Sequence, residues 1–134
     1  MGKSLIQTTN QTTQTVAADG ILSLGSVLRR YGCNCRLSGN AIEVAGEGYY
    51  KVDATVSVEP TAEGNVTVAL YNNGVQIQGA IAYGTASAAS DPVTLPIVTT
   101  IRQGCCCDSA DSLTLVLLEG AGTVTNVSLR VEKS

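Results

Sequence analysis

From Gly48 to Val58 the chain alternates residue by residue. Tyr50, Val52, Ala54, Val56 and Val58 fall on one face of an extended strand, and Lys51, Asp53, Thr55 and Ser57 fall on the other. A two-residue period of this kind is the signature of a strand with one buried face. After a break at Glu59-Pro60, Val66, Val68 and Leu70 repeat the pattern. Asn73-Gly74 then supplies the two residues that best tolerate the positive φ angles of a tight hairpin turn.

The rest of the composition agrees with a chain of short strands. Its 134 residues are the size of one domain, and 44% apolar content with 14% charge excludes a disordered polyelectrolyte. There is no Phe and no Trp, so a core must be built from Val, Ile, Leu, Ala and Tyr. Such side chains suit a thin sandwich better than a large ligand cavity. The formal net charge is −3, and Arg29-Arg30 is the one adjacent basic pair. Binding to nucleic acid needs a patch of phosphate-neutralising groups, so a nucleic-acid partner is not expected.

Met1 to Ile6 leads into Gln7-Thr8-Thr9 without the apolar stretch of a signal peptide, and Ile6 stands where a myristoylation motif wants Ser or Thr. No apolar run approaches bilayer length. A cytoplasmic product with no membrane partner is expected.

Residues 1–20, rich in Thr, Gln and Asn, read as a flexible arm or as an edge strand completed by a neighbouring subunit. Residues 21–134 form the domain proper. Gly20 and Gly25 interrupt the apolar residues of 21–31, which read as a short strand or irregular segment. Strands are expected at 35–37, 41–45, 48–58, 65–71 and 75–78, then at 93–102, 113–118 and 126–131. A small-residue loop at 84–91 precedes the first of that second group. Pro96 lies inside 93–102, which argues for an edge or a bulge there. Short strands separated by turn signals, with no amphipathic helix, mean an all-β sandwich.

Enzymatic readings find little support. There is no histidine, which removes Ser-His-Asp and Cys-His activation and the commonest metal ligand. Glu43 with Glu47, or Asp108 with Asp111, could be proposed as a glycosidase pair. Asp108-Ser109-Ala110-Asp111-Ser112 is more simply a turn, and it offers too few oxygen ligands for calcium. The chain is not expected to be an enzyme.

The order of elements carries a more specific likeness. "AIEVAGEGYYKVDATVSV", "GNVTVALYNNGVQIQG", "VTLPIVTTIRQ" and "DSLTLVLLEGAGTVTNVSLRVEK" follow one another between residues 41 and 133. Together they resemble the complement-q and tumour-necrosis-factor-like jelly-roll domains, in particular those of bacteriophage structural proteins and of bacterial collagen-like proteins. Gly48-x-Tyr50 matches the family's Gly-x-Tyr at the start of its central strand. Leu70-Tyr71-Asn72-Asn73-Gly74 matches its "LYxNG" hairpin, and Asp111-Ser112-Leu113-Thr114-Leu115 stands at its "aGDtltl" step.

The resemblance implies a ten-stranded, two-sheet jelly roll that forms a homotrimer and acts by binding and display. It places Tyr49, Lys51, Asp53 and Thr55 at the trimer interface, with Ser57 on the same face. Many members pack their trimer axis with Phe and Tyr; this chain is aromatic-poor, so its interface would be polar.

Five cysteines form two clusters, Cys33-x-Cys35 and Cys105-Cys106-Cys107. Their spacing is not a known zinc pattern. In the jelly-roll topology implied by the resemblance, the two clusters lie at one end of the sandwich. Three readings stay open: reduced small core residues, disulfides formed after release from the cell, or a structural metal held by thiolates. No other cofactor is expected.

These features lead to an expected role as a structural module of a bacteriophage virion, a trimeric head-decoration or fibre-tip protein assembled in the host cytoplasm. Its partners would be its own copies and a capsid or tail protein, with residues 3–18 as the attachment arm. A cell- or spore-surface trimer is the alternative. A carbohydrate-binding domain is a third reading, with Tyr31, Tyr49, Tyr71 and Tyr83 as candidate contacts for a surface glycan.

Overall fold

A computed structural model describes residues 4–17, 19–32, 34–89, 91–103 and 111–133. The described strands are β1 (Leu5–Asn10), β2 (Gln14–Val16), β3 (Gly20–Ile21), β4 (Ser26–Tyr31), β5 (Cys35–Ser38) and β6 (Ala41–Val44). They continue with β7 (Gly48–Pro60), β8 (Gly64–Asn72), β9 (Val75–Ala86), β10 (Val93–Gln103), β11 (Asp111–Glu119) and β12 (Gly122–Lys133).

Two antiparallel sheets face each other. The first runs β10-β7-β12-β1-β4 and the second β5-β6-β11-β8-β9. These ten strands are the two-sheet jelly roll expected from the sequence. The short β2 and β3 are additions, pairing with β12 and β11 respectively. The chain passes from β3 in one sheet to β4 in the other at Gly25. There φ is +77°, and a Cβ would lie 2.2 Å from the Thr9 carbonyl oxygen, so only glycine fits.

The alternation read from Gly48 onward is borne out along β7, whose inward residues Tyr50, Val52, Ala54, Val56 and Val58 are all buried. They meet Val66, Val68 and Leu70 of β8 and Leu113, Leu115 and Leu117 of β11 in one apolar core. Tyr50, fully buried, directs its hydroxyl to the carbonyls of Ala45 and Gly46 at 3.0 and 2.8 Å, so its polar tip stays hydrogen-bonded. Asn73 and Gly74 take φ angles of 54° and 83°, the turn expected between β8 and β9. Pro96 sits on β10, the terminal strand of its sheet, with no break in register against β7.

Two expectations are corrected. Leu5–Asn10 is neither an arm nor an edge strand: β1 pairs with β12 on one side and β4 on the other. Ile6 and Thr8 are buried on its inner face, which anchors it despite its Thr- and Gln-rich composition. β9 runs on to Ala86, well past the 75–78 expected and into the first residues of the region read as a loop. Ala80, Ala82 and Ala86 are buried there, and a Cβ on Gly84 would lie 2.4 Å from Val93 and 2.9 Å from Leu95. Small residues are required where β9 closes against β10.

Candidate assembly interface

The outer face of the β10-β7-β12-β1-β4 sheet gathers residues from every long strand of that sheet into rows. Val98, Asp53, Arg130, Gln7 and Arg29 stand opposite one another across all five strands. Thr100, Lys51, Glu132, Leu5 and Tyr31 form the next row, while Pro96, Thr55, Ser128 and Thr9 flank the first row on its other side. Tyr49, Lys51, Asp53 and Thr55, the residues assigned to an interface by resemblance, are therefore neighbours on one open face.

The centre of this face is a charge-neutral checkerboard. Lys51 stands opposite Glu132, and Asp53 opposite Arg130. Arg130 binds Glu132 at 2.6 Å and Asp53 at 3.5 Å, so one guanidinium links carboxylates on two strands. The three groups are 32–46% exposed, and water screens the pairs accordingly. Val98 and Tyr49 bring large apolar surface to the rim, 76% and 57% exposed.

The outer face of the other sheet differs in character. Ile21, Val116, Ala69 and Ile81 make an apolar row from β3 across β11 and β8 to β9. Ala69 and Val116 are buried although they point away from the core. Above this row lie Glu119, Thr67 and Tyr83; below it lie Thr114, Tyr71 and Gln76. Thr67 donates its hydroxyl to Glu119 at 3.1 Å. Sequence alternation missed this seam, because Val66 to Leu70 are buried without a break and the period of two disappears. The run "VTVAL" was the available signal: a strand apolar on both faces.

Cys35 faces the core and is 2% exposed. Burial pushes its thiol up to about 11, against a smaller lowering by Arg30 and Lys133. It is a buried thiol that its burial keeps protonated, which agrees with the reading of a reduced small core residue. Cys33, Cys105, Cys106 and Cys107 lie outside the described residues. Cys35 at the start of β5 and Asp111 at the start of β11 both pair with Val44, so the strands following the two clusters begin at one end of the sandwich. Among the described residues no group of three His, Cys, Asp or Glu is placed to hold a metal ion. Glu43 is ion-paired with Arg36 at 2.6 Å, and Asp108 lies outside the described residues.

No family model matches the sequence, and no curated protein sequence matches it. Solved structures do. Murine APRIL, crystallised at pH 8.0, superposes with a TM-score of 0.70 at 12% identity, covering 99% of this chain and all of that one. The globular domain of the zebrafish complement 1qA protein gives 0.70 at 9% identity, covering 94% of each chain. The PRD1 vertex protein P5 gives 0.64 at 14% identity, covering 97% of this chain and 72% of that one. The chain has the complement-q/TNF-like jelly-roll fold.

Proposed function

We propose that this chain is a non-enzymatic binding module that assembles as a homotrimer through the outer face of its β10-β7-β12-β1-β4 sheet. The observation that carries the reading is the checkerboard of Lys51, Asp53, Arg130 and Glu132, framed by Tyr49 and Val98. A neutral array of alternating charge can meet a copy of itself without net repulsion, and it selects register more than it adds affinity. That is how a polar face can act as an assembly face where a greasy axis is lacking.

The same reading places the trimer in a bacteriophage virion, as a head-decoration or fibre-tip component bound to a capsid or tail protein. The likeness to a phage vertex protein, PRD1 P5, supports it. The alternative is a trimer on a bacterial cell or spore surface. Purified particles of the encoding phage should contain the chain in multiples of three copies. Its absence from such particles, with presence on the bacterial envelope, would favour the alternative.

A second reading concerns what is displayed. Tyr71 and Tyr83 share the outer face of the β5-β6-β11-β8-β9 sheet with Thr67 and Glu119. Tyr83 is exposed and Tyr71 half-buried, and an exposed ring near the Glu119 carboxylate suits a neutral saccharide, which stacks its C–H face and hydrogen-bonds at its edge. Glycan-array binding that is lost in Tyr83→Ala would establish this; an array with no signal would remove it.

A further inference from the structure

We propose that β4 is the docking edge for an extended, acidic segment of a different protein, which adds to the β10-β7-β12-β1-β4 sheet as a further strand. β4 ends that sheet, and its outward edge pairs with no described strand. An uncovered strand edge is a row of backbone donors and acceptors ready to bind another chain.

The side chains distinguish this edge from a merely tolerated one. All six residues from Ser26 to Tyr31 are exposed. Val27, Leu28 and Tyr31 are three of the eight large exposed hydrophobics among the described residues. A strand guarded only against aggregation would carry polar groups at those places. The other terminal strands are protected in recognisable ways: β5 spans four residues, β10 carries Pro96, and β9 shifts register against β8 between Ala69 and Tyr71.

Charge identifies the occupant. Arg29 and Arg30 are adjacent on β4, in a chain whose net charge is −3. Arg30 donates from Nε to the Cys35 carbonyl at 2.9 Å, which leaves Arg29 as the cation facing outward beside Gln7. A second copy pairing edge to edge cannot supply the complement. The four terminal strands β4, β10, β5 and β9 contain no Asp and no Glu. The partner strand therefore comes from another chain, with carboxylates set to meet Arg29 and apolar residues to meet Val27, Leu28 and Tyr31.

The probe is an end-capped hexapeptide alternating glutamate and valine, titrated into the intact protein while amide hydrogen exchange is followed. Saturable slowing of exchange at Ser26–Tyr31 is expected. A lysine-valine peptide should bind about tenfold more weakly, and Arg29→Glu should reverse that preference. Arg29→Gln, milder for folding, should abolish the preference without reversing it. A fully N-methylated glutamate peptide should not bind, because its edge lacks donors. The proposal is overturned by absence of binding, by protection elsewhere than β4, by equal binding of both charge types, or by retention of the N-methylated peptide.

Discussion

At the scale of single residues, the buried polar groups make the sharpest predictions. Thr8 is fully buried in β1, and its hydroxyl has no hydrogen-bond partner among the described residues. Thr8→Val keeps the shape and removes the orphan, so chemical denaturation should show a gain of about 1 kcal/mol. Cys35 presents the related case of a thiol kept neutral by burial. Its pKa is raised from 9.0 to about 11, so the native state holds its proton more tightly than the unfolded chain does. The stabilisation is complete below about pH 9 and lost as pH rises towards 11. The stability-pH curve of Cys35→Ala should accordingly fall less steeply across that window than the parent's. Arg130 differs again, because its ion pairs are half exposed. Arg130→Ala should cost the monomer less than about 1 kcal/mol in denaturant, while weakening assembly measurably.

At the scale of elements, β1 decides how the N-terminal segment must be viewed. The composition of Gln7 to Thr15 resembles a solvated arm, and its large apolar residues, Leu5, Ile6 and Val16, lie only at its ends. The strand is fixed instead by pairing on both sides, and Ile6 and Thr8 close the core beneath it. Deleting residues 1–18 should therefore abolish the β-sheet circular-dichroism signal, not merely detach the protein from a partner; a folded deletion variant would show that β1 is dispensable.

The contrast with β7 shows what was legible. The β7 alternation is local and survives in the sequence. The pairing of β1 is long-range, and Thr suits a strand as well as a loop. β9 was shortened for a similar reason: Gly79, Ala80, Ala82 and Gly84 have low strand propensity, and packing against β10 overrides it. The apolar seam through Ala69 and Val116 was hidden because an uninterrupted buried run carries no period from which to assign faces. For the cysteines, sequence spacing left three readings open; the burial of Cys35 agrees with the first, and the other four cysteines lie outside the described residues.

At the scale of the whole molecule, the fold presents three surfaces of different chemistry: a charge checkerboard, an apolar seam with two tyrosines, and a basic strand edge. Each suits a different kind of contact. The checkerboard carries the central claim, that the chain assembles on itself, and electrostatic register makes that assembly sensitive to salt and to charge reversal. Sedimentation equilibrium tests this most directly. The parent should sediment at three times the 13.8 kDa chain mass, Asp53→Arg at the mass of one chain, and the swap Asp53→Arg with Arg130→Asp at the trimer mass again. A parent that sediments as a single chain at every concentration, or an Asp53→Arg variant that remains trimeric, would contradict the account.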